Sequence, residues 1–176
     1  MFIDKAFNLE TYTHSDTAKK LGIDNSKMTN EQLLQLEKLH SVLLDIQARL
    51  TNKFKKQVLI NINSAFRSQT LNDHFVKTIG ASKKSQHMDG EAADTTASGI
   101  TLEEYYQALR LIAKTKVIVF GQVMIEYGKH PEKESDDWVH VSLPKQGIMN
   151  DFRRAPLKKE DGAKVDGKRE YIKDPL

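Results

Sequence analysis

The stretch Ser85-Gln86-His87-Met88-Asp89-Gly90-Glu91-Ala92-Ala93-Asp94 places a histidine and an aspartate seven positions apart. Imidazole and carboxylate are both donors that zinc accepts. The interval is too long for one helical turn. It suits a loop that carries His87 and then enters a strand, Ala92 to Thr96, whose small residues let other backbone or a ligand come close. A third donor, His140, comes from Asp137-Trp138-Val139-His140. Three protein ligands with a fourth position open is the pattern of catalytic zinc, whereas structural zinc sites close all four. Such a metal lowers the pKa of a bound water to about 7, and a carboxylate must then take the proton and pass it to a leaving amine. Asp137, three residues before His140 at a loop–strand junction, is the candidate for that work, and Asp136 the weaker one. Arg67 follows a strand and can pair with a substrate carboxylate or a developing oxyanion. Ser85, two residues before His87, is placed to hydrogen-bond a substrate backbone.

Each residue also has a plainer reading. A lone His or Asp on a strand is usually a satisfied polar group, and only the combined pattern makes ligation the better account. Arg67 could be a surface ion-pair residue, and Trp138 a core residue as readily as a cleft wall. His14, His40, His74 and His130 do not stand at ligand spacing and read as solvated or packed. Lys83 and Lys84 read as a solvated loop.

These residues need elements to hold them. Ser15 can cap a short helix that Gly22 stops, inside an otherwise irregular lead-in over residues 1–28. Thr29-Asn30-Glu31-Gln32 is a capping box. It opens a long helix to about Lys56, with Leu33, Leu36, Leu39, Leu43, Ile46, Leu50 and Phe54 on one face. Val58 to Asn63 alternates as a strand, with Val58, Ile60 and Ile62 on one side. Ser68 caps a helix with Leu71, Phe75 and Ile79 inward, ended by Gly80. Thr101 to Glu104 is a second capping box, starting a helix to about Lys114 with Leu102, Tyr105, Leu109 and Ile112 inward. Val117 to Phe120 and Gln122 to Tyr127 read as strands around Gly121, and a charged turn, Gly128 to Asp136, leads to a strand from Trp138 to Leu143. Pro156 to Leu176, dense in charge and glycine, reads as an extended or flexible tail.

Composition limits the classes. The 176 residues are enough for one domain with a real core, here residues 1–155 ahead of the 156–176 tail. A net charge of +3, from 27 basic and 24 acidic residues, is too balanced to argue for a nucleic-acid partner. The absence of cysteine excludes disulfides and thiolate metal sites, so any zinc rests on His and carboxylate. No apolar run is long enough to span a bilayer, and Met1 to Lys5 does not open a secretory leader.

Ser64-Ala65-Phe66-Arg67-Ser68 with Leu71-Asn72, then Ser-x-His-x-x-Gly-x-Ala-x-Asp over 85–94, then Asp137-Trp138-Val139-His140, together resemble the D-alanyl-D-alanine carboxypeptidase / L-alanyl-D-glutamate endopeptidase family of zinc peptidases. The lead-in, Phe7 to Glu10, Ser15 to Ala18 and Gly22 to Asn25, is similar to that of a phage endolysin-like branch. The likeness covers roughly residues 5–145. It implies a small α+β fold of the Hedgehog/D-Ala-D-Ala-peptidase type, an antiparallel sheet flanked by helices with the zinc site on the sheet. It implies His87, Asp94 and His140 as zinc ligands, Asp137 as general base where many relatives carry Glu, Arg67 as substrate-binding and transition-state-stabilising group, and Ser85 at the substrate cleft. The implied partner is a peptidoglycan stem peptide, met by a monomer, with other virion proteins as further company. Made in the cytoplasm without a signal peptide, such a lysin reaches the wall by holin-type release or in a virion. The alternative is a non-catalytic module of the same fold, zinc-stabilised, that binds peptide or builds a virion. An intact Asp137 and Arg67 argue against it.

Overall fold

The computed structural model describes residues 1–126, 137–155 and 171–176. Local signals set most of its elements. Asn8 caps a five-residue helix α1, Leu9–Thr13, that the sequence does not announce. Ser15 accepts from the Ala18 N–H to start α2, Asp16–Leu21, and Gly22 ends it in the left-handed region. The Thr29–Gln32 capping box forms as expected and opens α3, Asn30–Phe54. Its stripe Leu36, Leu39, Leu43, Ile46 and Leu50 is fully enclosed, each side chain contributing roughly 1.5–3 kcal/mol by leaving water. Leu33 is only half-buried.

The strand β1, Ile60–Ser64, is followed by α4, Gln69–Ile79, capped by Ser68. Leu71 of α4 is buried, but Ile79 is 59% exposed, because the helix ends on Gly80 before its last turn meets the core. β2, Ala92–Ala97, leads to α5, Leu102–Lys114, whose Thr101–Glu104 capping box also forms. Then come β3, Gln122–Glu126, β4, Trp138–Ser142, β5, Asp151–Arg154, and β6, Ile172–Lys173. Val117 to Phe120 is not a strand: Ile118 and Phe120 turn inward and Val117 and Val119 stay exposed, but no ladder takes up their backbone. Tyr127 and the charged turn from Gly128 to Asp136 lie outside the described residues.

The sheet order is β1-β2-β4-β3-β5-β6. Its pairs are antiparallel except β3 with β5, which run parallel. The α+β class and the helix-flanked sheet hold, and the sheet is wider than expected by β5 and β6. At the end of the stretch read as an extended or flexible tail, β6 adds a short edge strand. Lys173 and Ile172 pair with Arg153 and Arg154, and Asp174 is held by Arg110 and by the Phe152 carbonyl. Residues 156–170 lie outside the described residues.

Register fixes the two faces. Ile60, Ile62, Ala93, Val123, Ile125, Val139, Val141 and Phe152 join α3 and α5 in one core. Alternation then puts Asp94, His140 and Met124 in one row on the other face, because Asp94 pairs with His140 and Met124 with His140. The chemistry therefore sits on the face turned away from the helical core.

Candidate active site

His87 is set by a tight turn. Within residues 85–91 the N–H groups of Met88, Asp89, Gly90 and Glu91 donate to the carbonyls of Ser85, Gln86, His87 and Gln86 at 3.0–3.3 Å. Gly90 takes a φ of +72°, and a Cβ there would stand 2.5 Å from the Gln32 carbonyl oxygen. Gln32, the capping-box residue of α3, also donates from Nε2 to the Met88 carbonyl at 2.7 Å. One end of the long helix thus holds the His87 turn against the domain.

The His87 Nδ1–H donates to the Ala65 carbonyl at 2.7 Å, which leaves Nε2 as the free nitrogen. That nitrogen lies 3.4 Å from Asp94 Oδ1. The same carboxylate oxygen is 3.0 Å from His140 Nδ1, while His140 Nε2 lies 3.4 Å from Gln86 Oε1. The two rings are 5.1 Å apart and nearly edge-on. One ligand atom from each of His87, Asp94 and His140 can be chosen so that all lie within 4.8 Å of one another, so the group could hold a metal ion. A tetrahedral zinc with bonds near 2.0–2.1 Å spaces its ligands about 3.3 Å apart, close to the 3.0 and 3.4 Å found here. Two imidazoles and one carboxylate, with the Ala65 carbonyl behind the His87 ring and Gln86 Oε1 behind the His140 ring, are a donor set that zinc accepts.

The charges suit that use. Burial lowers the His87 pKa, outweighing the pull of Asp94, so the ring stays neutral and able to ligate. Burial alone would raise the Asp94 pKa. In acid, once the rings carry their second protons, attraction to His87 and hydrogen bonds from His140 and His87 outweigh it and hold the carboxyl well below its usual range.

Arg67 is brought to the same place. Its N–H donates to the His87 carbonyl at 3.1 Å, and its guanidinium lies 4.9 Å above the Phe75 ring and 3.5 Å from Asn72 Oδ1. Burial lowers the Arg67 pKa, opposed by Asp94 and then by Glu126. The Arg67 loop is itself tied to the lead-in. Buried Asn25 donates to the Thr13 and Phe66 carbonyls at 2.8 and 3.0 Å and accepts from the Ser68 N–H at 2.7 Å. The Phe66 N–H donates to the Tyr12 carbonyl at 2.8 Å. Tyr12 in turn hydrogen-bonds His40 at 2.8 Å, so His40 is packed as expected.

Ser85 is half-buried at the start of the His87 turn. Asp137 is half-buried directly before β4, and Asp136 lies outside the described residues. Three residues near the site escaped the sequence reading: Asn25, Gln86 and Glu126. Gln86 Nε2 is enclosed and has no protein partner among the described residues, which leaves a donor beside His140. Its place directly before His87 was the available signal.

A family model described as Peptidase M15 matches residues 5–142, from the lead-in through the last strand that carries a candidate ligand. The chain belongs to the peptidase M15 family. No curated protein matches it. M15 peptidases are zinc enzymes of the D-Ala-D-Ala carboxypeptidase/endopeptidase type, and the His87–Asp94–His140 group is where this M15 chain could hold its metal.

Proposed function

We propose that this chain is a zinc-dependent peptidase that hydrolyses peptidoglycan stem peptides, of the D-Ala-D-Ala carboxypeptidase or L-Ala-D-Glu endopeptidase type, in the setting of a phage or bacterial wall lysin. The observation that carries the reading is the His87–Asp94–His140 group, both rings buried and the carboxylate partly so, on the sheet face away from the core, in a chain whose match to M15 peptidases runs from residue 5 to 142. Zinc bound by these three residues would supply Lewis acidity and lower the pKa of a water. Ala65 holds the His87 tautomer, and Gln86 the far side of the His140 ring. Asp137 takes the proton of the attacking water as its oxygen bonds to the scissile carbonyl carbon. It returns that proton to the amine as the C–N bond breaks. Arg67 pairs with a substrate carboxylate or with the charge that develops on the carbonyl oxygen. Ser85 offers a hydroxyl to the peptide backbone.

The test is digestion of purified sacculi followed by mass spectrometry of the released muropeptides. The expected result is a new amine terminus at one stem-peptide bond, lost on chelation and restored by zinc. Binding to sacculi with no amine released would overturn the reading and favour a non-catalytic module.

A further inference from the structure

The motif Ser64 to Ser68 with Leu71-Asn72 gives Arg67 a role and leaves Asn72 without one. Asn72 stands near the start of α4 with 0% of its surface exposed. A buried carboxamide needs a partner at each end, since a polar group left unpaired costs about 1–3 kcal/mol. Asn72 Nδ2 donates to the Ser82 carbonyl at 3.1 Å, and Oδ1 accepts from Arg67 Nη1 at 3.5 Å. A carbonyl can only accept and a guanidinium can only donate, so both partners demand the same orientation of the amide. Phe75, three residues further on the same helix face, has its ring 4.9 Å from the Arg67 guanidinium carbon. Asn72 and Phe75 thus form a seat for the cation on α4. Among the described residues Nη1 is the guanidinium nitrogen so engaged, and the Nη2–Nε edge is left to meet a carboxylate or an oxyanion. The other partner of Asn72 lies in the loop between α4 and the His87 turn. Three residues after Ser82 that loop carries Ser85.

We propose that Asn72 is a positioning residue: one buried carboxamide that seats the Arg67 guanidinium through Oδ1 and holds the Ser85-bearing loop through Nδ2. The cation and the hydroxyl of the cleft then keep a fixed separation. The consequence for the substrate rests on the reading of Arg67 and Ser85 as substrate-facing groups, whereas the seat itself does not.

The test uses the whole chain and two readouts. In metal-free protein, heteronuclear relaxation of the Arg67 Nε–H group reports whether the guanidinium is held. The expected result is a group as ordered as its own backbone in the wild type and mobile in Asn72→Leu. Asn72→Asp, which keeps an acceptor for Arg67 but sets an oxygen against the Ser82 carbonyl, is expected to leave it ordered. With zinc restored, Asn72→Leu is expected to lower kcat/KM on a stem pentapeptide by up to about 100-fold, as misplacement of a binding group does. The loss should fall on the same parameter, kcat or KM, that Arg67→Gln changes, with zinc affinity intact. In an Arg67→Gln background the Asn72→Leu change should add little, because the two share one interaction. An Arg67 Nε–H group that stays ordered in Asn72→Leu would overturn the proposal. So would losses that multiply in full in the double variant, since Asn72 would then act independently of Arg67. Asn72→Ser, whose side chain is too short to reach both partners, carries the same measurements if Asn72→Leu does not fold. An inactive wild-type protein would sink the peptidase reading instead, while the relaxation data would still report the seat.

Discussion

The two edges of the sheet are held by different means. Around β1, β2 and β4, polar side chains are enclosed and fixed by main-chain partners: His87 on Ala65, Asn25 on Thr13 and Phe66, Gln32 on Met88. Around β5 and β6 the ties are partly exposed ion pairs: Arg154 with Glu103 at 2.6 Å, Arg110 with Asp174 at 3.2 Å, Arg153 with Asp151 at 2.7 Å. The first arrangement fixes where a donor atom sits, since a buried bond to the backbone leaves one orientation open. The second attaches a strand but contributes little energy per pair, because water screens it. The family match respects the same boundary, ending at residue 142, the last of β4.

The largest effects should come from the first region. Asp94→Asn removes the anionic donor that both histidines face. Zinc affinity should fall by more than about 100-fold, read by competition with a chromophoric chelator, and hydrolysis of sacculi should fall to background. An Asp94→Asn protein that still takes up zinc tightly would break the comparison at its root. Next, Asp137→Ala should retain zinc and lose about 10²–10⁴-fold in kcat. Full activity in that variant would remove Asp137 from the mechanism.

Stability separates the regions on a smaller scale. Gly90→Ala forces a Cβ to within 2.5 Å of the Gln32 carbonyl at a φ of +72°. It should cost about 1–3 kcal/mol by chemical denaturation and weaken zinc binding as the His87 turn shifts. Glu103→Gln on the far edge, where the Glu103 side chain is half-exposed, should cost less than about 1 kcal/mol and leave zinc binding unchanged. Equal costs at the two sites would erase the distinction.

Acid should also act on the first region. Burial keeps His87 neutral to lower pH than usual, and its two histidine partners, outweighing burial, keep Asp94 ionised to lower pH than usual. Both groups bind protons more readily in the unfolded chain. Stability of the metal-free protein should therefore decline as pH falls from about 6.5, the ordinary histidine value, and decline again through about 4, the ordinary aspartate value. The thermal midpoint against pH reads this. A midpoint that is flat between those values would contradict it.

The site was legible where residue type and spacing carry the information. His87, Asp94 and His140 stand out because few residues donate to zinc, and the structure brings them together. The caps at Ser15, Thr29, Ser68 and Thr101 were legible because capping is decided within four residues. What failed was non-local. Val117 to Phe120 has strand composition, but without a partner strand it stays a turn-like lead into Gly121, whose N–H bonds the Ser142 carbonyl. β5 holds a single apolar residue, Phe152, and becomes a strand only because β3 lies beside it. Asn25 looked like an ordinary loop residue, and its grip on the Arg67 loop depends on Phe66, 41 positions away. Glu126 looked like the end of an ordinary strand until register placed it beside the site.

The most direct measurement is zinc titration of chelator-treated protein, with bound metal and stem-peptide hydrolysis followed in the same samples. One equivalent of zinc per chain should restore hydrolysis in proportion to occupancy, and the Asp94→Asn chain should show neither. Hydrolysis that persists without metal, or zinc bound as tightly by the Asp94→Asn chain as by the wild type, would contradict a His87–Asp94–His140 metallopeptidase.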